Sequence, residues 1–456
     1  MFTNLNATMK KRILTACILL SVGIVNAQTP LVKDSIHLKE SPTKPAERKA
    51  DPGWGIKFSG FIRNDVFFDS RQVVSARPAN QGELLLYPAN VNNDINGKDI
   101  NAASSLDMLA ITTRLTGTVT GPDAFGAKTS GIIEAEFFGN ANGNENVFRL
   151  RHAVARLDWP KTQLAFGQYW HPLFVTDCFP GVLSFNTGMP FQPFARNPQI
   201  RLTQKLGNEV NLIIAAISQT EAFVSSGPST NIALGAASAS QAYISNAVVP
   251  NLHAQLQYKG KSFLAGVALD YKSLRPALSA PSAAGASTLV VSNERVNSVT
   301  FEAYTKITTK AVIAKAEFLS GQNLYDHLMI GGYLAYGIAP AITYKPITVN
   351  SYWVEIMGTG KKVIPGIFVG YTYNNGASED NAVASYTRGI SAGKTSISNV
   401  FRVAPRIETI SGKFRFGLEA EITSATYGAA GSNAKVTGIT NSVTNNRILF
   451  ISSYSF

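Results

Sequence analysis

Apolar and polar side chains alternate with a period of two in segment after segment from Ile56 to the final residue, Phe456. Successive side chains of a β-strand point to opposite faces, so this alternation predicts strands with one apolar and one polar face. After residue 27 the longest apolar run, Leu212 to Ile217, has six residues, whereas a membrane helix needs about 18. Membrane β-barrels instead distribute their apolar surface over alternating positions.

Sixteen such segments are present, and the fold class predicted from them is all-β, a 16-stranded antiparallel transmembrane β-barrel. Connections after even-numbered strands are short, whereas those after odd-numbered strands are long, as in membrane barrels. A bulge at 153–155 is expected, since it would turn all four charges of 148–159 inward. The predicted strands are 56–66, 107–120, 128–138, 148–159, 162–169, 199–206, 209–219, 251–259, 262–272, 296–307, 311–319, 348–358, 362–373, 399–410, 413–424 and 447–456.

The N-terminus predicts export. Residues 1–27 combine a basic patch, an apolar run and a small-residue cleavage site, which is the pattern of a signal peptide. Residues 28–53 are interpreted as a flexible periplasmic tail and 54–456 as the barrel. Cleavage leaves 38 basic and 29 acidic residues, a net charge of +9, and Cys178 as the one cysteine. An internal disulfide is thereby excluded, and the basic excess suits lipid head groups or anionic solutes rather than nucleic acid.

Residues 170–198, between strands 5 and 6, break the alternation. The stretch holds six aromatic residues and five prolines, with Asp177 and Arg196 as its full charges. Prolines at this density oppose a helix or a central strand, and the apolar composition argues against disorder. We therefore expect an inward-folded constriction loop in the bore. Its predicted functional residues are Asp177, Arg196, Phe179, Phe185 and Phe191.

Three local motifs suggest a family. They are Arg149-Leu150-Arg151-His152-Ala153, the run 166–170 (FGQYW) and the run 196–201 (RNPQIR). Together with the alternation and the terminal aromatic residue, they resemble the DcaP-like branch of the trimeric 16-stranded porins of Gram-negative outer membranes. The resemblance implies a homotrimer and passive diffusion of small, often anionic, solutes. One departure is that the tail lacks the long heptad segment of some relatives, so trimer contacts would rest on the barrel wall and loops.

We therefore expect an outer-membrane porin that passes small hydrophilic solutes, anions in particular, through a water-filled pore. Arginines facing the bore would attract anions, and opposing carboxylates would create a transverse field. The alternative for these charges is that most of them pair with one another and brace the wall. The predicted pore-lining residues are Arg63, Arg114, Arg149, Arg151, Arg201, Arg402, Arg406, Arg415, Glu134, Glu136, Glu419 and Glu421.

Other functions are less well supported by the sequence. A plugged barrel that acts as a surface adhesin or structural protein stays open as an alternative. No catalytic constellation is visible, so an enzyme, including an outer-membrane hydrolase, is not expected. No cofactor is expected, although calcium in one loop stays open as an alternative: residues 92–97 resemble the start of a calcium loop, yet Ala103 occupies the position of the closing glutamate. The five histidines show no metal-ligand spacing along the chain.

Overall fold

The structure is a computed structural model that describes residues 53–76, 82–139, 146–218 and 242–456. The predicted signal peptide and nearly all of the predicted tail lie outside these residues.

Sixteen antiparallel strands form a closed barrel, which confirms the predicted fold class. Closure leaves no unpaired sheet edge, as a lipid environment requires. The barrel strands are β1 Gly55–Asp69, β2 in two parts (Ser105–Leu109 and Arg114–Ala124), β3 Ala127–Glu136, β4 Arg149–Asp158, β5 Thr162–Trp170, β6 Arg196–Lys205, β7 Val210–Ile217, β8 Asn251–Lys259, β9 Phe263–Leu274, β10 Val296–Thr308, β11 Val312–Gln322, β12 Thr343–Gly358, β13 Val363–Ala377, β14 Thr395–Ser411, β15 Phe414–Ala430 and β16 Val436–Ser455.

Each strand pairs with the next along the chain, and β1 closes the barrel between β2 and β16. The β1–β16 register runs from Phe61 opposite Ser455 to Asp69 opposite Arg447. Short turns follow the even-numbered strands, and long connections follow most odd-numbered strands, as predicted.

The long connections carry small elements of their own. Two strands, Gly331–Tyr336 and Ala382–Arg388, pair with each other and join the wall next to β12. Two short hairpins, a helix and two 3-10 turns complete the described structure: Val73–Ser75 with Leu85–Pro88, Ser279–Pro281 with Leu289–Val291, the helix Ala242–Ala247, and the turns Ile100–Ala102 and Tyr325–His327. Among the helices of the described residues, none has the length and apolarity needed to cross a membrane.

The two faces of the wall differ as the alternation predicts. In β8, Leu252 and Leu256 are exposed on the outer face, whereas His253 and Gln255 between them are buried. The outer face of the barrel is thus apolar and suits lipid. The inner face is packed against residues of the long connections, and the largest apolar cluster lies there, with Trp353 and Phe191 fully buried.

Three local predictions differ from the structure. The predicted strand 107–120 is interrupted at 110–113, because Ile111 is buried and Thr112 donates its hydroxyl to Asp65 at 2.9 Å. The bulge in β4 lies at 150–152 rather than 153–155. The last strand begins at Val436 rather than Arg447, since its polar first half pairs with β15 where no apolar face is needed.

Candidate functional site

Residues 171–195, which connect β5 to β6, are called the crossing segment here. Backbone N–H groups of this segment donate to carboxylates on distant strands. Gly181 donates to Glu355 of β12 at 2.7 Å, and Leu183 and Ser184 donate to Glu419 of β15 at 2.8 and 3.0 Å. Since β12 and β15 lie across the barrel from β5 and β6, the segment runs through the interior.

Side chains of the wall also bind carbonyl groups of the crossing segment. A segment without regular structure must find partners for its backbone when it is buried, and basic and hydroxyl groups on five strands supply them. The bonds are Arg63 to Leu183 O (2.6 Å), Lys306 to Asp177 O (2.6 Å), Lys315 to Phe179 O (2.9 Å), Ser351 to Phe191 O (2.7 Å) and Arg402 to Met189 O (2.7 Å).

The aromatic residues of the segment occupy two environments. Phe191 is fully buried beside Phe368, with ring centroids 5.9 Å apart. Phe185 is buried against Phe138 at 5.3 Å. Phe179, by contrast, is about one-third exposed. It continues a stack that begins with Trp170 on Phe174 at 3.9 Å and extends from Phe174 to Phe179 at 5.3 Å.

Charged residues of β2, β3 and β4 face the segment from the wall. Arg114, Glu136 and Arg149 are cross-strand partners, with N–O distances of 3.1 and 2.6 Å. Arg151, at the β4 bulge, reaches Glu134 at 2.8 Å and Glu136 at 2.6 Å. Three guanidinium groups thus surround two carboxylates.

Further charges adjoin this cluster. Arg196, at the start of β6, packs over Trp170 at 4.7 Å and adds a fourth guanidinium, whose charge also acts on Glu136. Glu83, from the connection between β1 and β2, acts electrostatically on Arg149. The group therefore holds four arginines and three glutamates.

A cavity of about 340 Å³ lies between this charged wall and the crossing segment. Arg114, Glu134 and Arg151 supply its charges, and His152 and Thr116 add polar groups. The opposite side is aromatic. The other residues that line the cavity are Ile132, Tyr169, Trp170, Phe174, Thr176, Phe179, Phe185, Thr187 and Phe194. A small solute in this space would meet guanidinium groups and ring faces together.

The predicted arginines of β14 are enclosed rather than facing open water. Arg406 binds Glu355 at 2.7 Å and Glu408 at 3.3 Å. Arg402 lies 3.5 Å from Glu421 and also donates to Thr423 at 2.7 Å. The physical reason is the crossing segment, which covers these positions. Arg415 of β15 is more open, with its side chain 37% exposed and paired to Glu408 at 2.5 Å.

The other predicted site residues are also bound. Arg63 pairs with Asp65 as well as with the segment. Arg201 donates to Gln199 at 2.9 Å and to the carbonyl of Trp170 at 2.5 Å. Asp177 pairs with Lys259 at 2.8 Å in an exposed position. These contacts agree with the alternative interpretation of the charges, in which many of them brace the wall.

Sequence reasoning missed the pair Arg447–Asp69. Both residues are buried, and Arg447 donates to the carboxylate of Asp69 at 2.9 and 2.6 Å. The two residues lie at opposite ends of the chain and meet only because β1 and β16 close the barrel. This pair could have been predicted only by assigning which residues of β1 lie opposite which residues of β16.

In the loop that resembles a calcium site, the carboxylates accept hydrogen bonds from the loop's own backbone. The Asp94 side chain accepts N–H groups of Asn96 and Lys98, both at 2.8 Å. These bonds, that from Lys98 foremost, lower the pKa of Asp94 from its ordinary value. Asp99 caps the following 3-10 turn through Asn101 N.

No protein-family model matches the sequence, and no curated protein is similar to it in sequence. Solved structures, in contrast, share its architecture. The outer membrane channel DcaP of Acinetobacter baumannii is 16% identical, with a TM-score of 0.61 over 90% of this chain and 99% of that one.

Two further solved structures have the same architecture. The anion-selective porin from Comamonas acidovorans is 11% identical, with a TM-score of 0.51 over 88% of this chain and 100% of that one. OmpT, an outer membrane protein of Vibrio cholerae, is 9% identical, with a TM-score of 0.50 over 89% of this chain and 98% of that one. The resemblance expected from the motifs is thus confirmed at the level of the fold: the chain is a 16-stranded barrel of the porin type.

Proposed function

We propose that the protein is a porin of the bacterial outer membrane that lets small hydrophilic solutes, anions in preference, diffuse passively through its bore. The observation that carries this proposal is the cavity between the crossing segment and the arginines of β2 and β4. A 16-stranded barrel is too wide for wall side chains to fill. The crossing segment then acts as the constriction that decides which solutes pass.

The charge arrangement supports anion preference. Arg114 and Arg151 line the cavity, with Glu134 as the one carboxylate among its lining residues. Because the carboxylates hold the guanidinium groups in fixed positions, the positive surplus stays directed toward the cavity. A fixed charge in a narrow, partly apolar space acts on a passing ion more strongly than it would in open water. The selectivity of the Comamonas porin with this fold is in line with this view.

Export and assembly belong to the same proposal. Residues 1–27 direct secretion, the tail 28–53 lies in the periplasm, and the apolar outer face meets lipid. Porins of the resembling branch are homotrimers, and we propose the same state here. The wall and the loops would supply the trimer contacts.

One observation favours a second candidate function, a plugged barrel. Besides the crossing segment, residues of other connections, such as Leu85 and Leu86, are buried in the interior, and Arg402 donates to both of their carbonyl groups. An interior filled in this way would block solutes and leave the outer loops to bind a partner.

Selectivity is tested by the Arg151→Gln variant. The loss of one guanidinium from the cavity should shift the reversal potential in a salt gradient toward cations. The shift should be larger at low ionic strength, because the screening length is about 10 Å at 0.1 M salt and longer below it. The measurement is made in planar bilayers with the purified protein.

The matched control is the double variant Arg151→Gln with Glu134→Gln, which removes both partners of one ion pair and restores the net charge. Its reversal potential should return toward that of the unmodified protein. An Arg151→Gln channel with an unchanged reversal potential would remove the arginine cluster from the selectivity mechanism.

A further inference from the structure

Two histidines and an aspartate converge inside the barrel at the base of the crossing segment. His171 is the first residue of the segment, His253 lies on β8 and Asp270 lies directly opposite it on β9. All three side chains are more than nine-tenths buried, and one ligand atom from each lies within 4.8 Å of the others. No motif in the sequence indicates this group, since its members are far apart along the chain.

The spacing of these atoms does not fit hydrogen bonds. Asp270 Oδ2 lies 3.5 Å from His171 Nε2 and 3.4 Å from His253 Nδ1, whereas hydrogen bonds of this type have lengths of about 2.7 to 3.2 Å. Ligands of a tetrahedral zinc ion lie about 2.0 to 2.2 Å from the metal, so two of them are roughly 3.3 to 3.5 Å apart. Both distances therefore match edges of a metal coordination sphere.

Proton positions support the same interpretation for His253. Its Nε2 lies 3.3 Å from Gln255 Oε1, also longer than a usual hydrogen bond, and because an amide oxygen only accepts, this contact favours the tautomer with the proton on Nε2. The amide of Gln255 is oriented by its bond to the Tyr304 hydroxyl at 2.5 Å. In the neutral ring, Nδ1 then carries a lone pair that faces the carboxylate of Asp270. A cation between Nδ1 and this carboxylate would stabilise the arrangement. Metal-binding histidines commonly donate their other N–H in this way.

The atoms that face one another are not satisfied by other groups. Among the described residues, His171 Nε2, His253 Nδ1 and Asp270 Oδ2 have no hydrogen-bond partner. A buried polar atom without a partner lowers the stability of the fold. His171 Nδ1 accepts the N–H of Leu173 at 3.2 Å. A metal on Nε2 requires the ring proton to move to Nδ1. Metal binding would therefore replace the one hydrogen bond that Nδ1 accepts from Leu173 N–H.

Further buried carboxyl groups lie near the three side chains. Glu302, diagonal to Asp270 on β10, and Glu317 on β11 are buried and have carboxylate oxygens without a hydrogen-bond partner in the described part of the chain. The nearby cation Lys272 is already paired with Asp326 at 2.5 Å.

We propose that His171 Nε2, His253 Nδ1 and Asp270 Oδ2 bind a divalent transition metal ion of the zinc class. Two imidazoles and one carboxylate form a donor set that suits zinc. The ion ties the first residue of the crossing segment to β8 and β9 and so fixes where the segment leaves the wall. This site is independent of solute diffusion.

The test measures metal on the mature chain, purified in detergent without a polyhistidine tag, stripped with EDTA and equilibrated with zinc chloride. We expect about one zinc per chain by elemental analysis. The His253→Gln and Asp270→Asn variants should each bind zinc at least tenfold more weakly. His152→Gln makes the same change at a buried histidine outside the group and should bind as the unmodified chain does.

Cobalt chloride supplies a readout that needs no variant. Visible absorption bands of low-symmetry cobalt, displaced by zinc, are expected from the unmodified chain and would support the site even if a variant failed to fold. Absence of both zinc and cobalt binding would overturn the proposal. The three side chains would then share a proton or bind a buried water. Equal binding by the unmodified chain and both folded variants would also overturn it.

Discussion

At the scale of single residues, the barrel interior is organised by charges that partner one another. Arg447 illustrates this: it binds both oxygens of Asp69, donates to the carbonyl of Gly82 at 2.7 Å and lies over the ring of Phe67 at 4.4 Å. Removing two charges from water is costly, and the cost is offset only when geometry and extra hydrogen bonds are good. Loss of one partner then leaves an uncompensated buried charge.

The Arg447→Leu variant should therefore be destabilised by about 3 to 5 kcal/mol. The measurement is the free energy of unfolding of the refolded barrel in denaturant. Asp69 would be left with a bond from Asn445 at 2.6 Å, which does not neutralise its charge.

The control for this substitution is Lys128→Leu. Lys128 pairs with Asp123 at 2.7 Å, but its side chain is 80% exposed. Pairs of this kind contribute roughly 0 to 1 kcal/mol. If Arg447→Leu unfolds no more easily than Lys128→Leu, the buried pair is not a source of stability.

At the scale of elements, alternation located the wall strands because one face meets lipid and the other meets the interior. It failed where that contrast ends. Residues 110–113 leave the strand because the interior takes up Ile111 and Thr112, and β16 extends over polar residues that alternation cannot mark. The crossing segment has no period at all, so its contacts with Glu355 and Glu419 were beyond sequence reasoning; its apolar composition predicts only that it packs against apolar groups.

The end of β16 gives a prediction at this scale. Phe456 donates its N–H to Gly60 O at 3.1 Å and accepts from Gly60 N at 3.4 Å, and its ring is exposed on the outer face. A variant without Phe456 loses this last pair with β1 and one aromatic ring of the outer face. We expect less folded protein in that membrane.

The measurement is the amount of folded, surface-exposed barrel in outer-membrane fractions. A Phe456→Tyr variant keeps an aromatic terminus and serves as the control. Equal amounts of folded barrel with and without residue 456 would contradict a role for the terminal residue in assembly.

At the scale of the whole molecule, the function follows from what the barrel encloses. Sequence patterns were sufficient for the sixteen strands. They were not sufficient to separate arginines that line the cavity from those, such as Arg406, that the crossing segment covers. That distinction depends on where an irregular segment lies, and only the assembled barrel determines it.

The most direct test of the account is the conductance of the purified protein in planar bilayers, compared with that of the Glu419→Ala variant. Glu419 holds two backbone N–H groups of the crossing segment, so its loss should loosen the constriction. We predict stepwise, anion-preferring openings in groups of three for the unmodified protein and larger or noisier openings for the variant. A folded barrel that conducts in neither form would contradict the channel and support the plugged alternative.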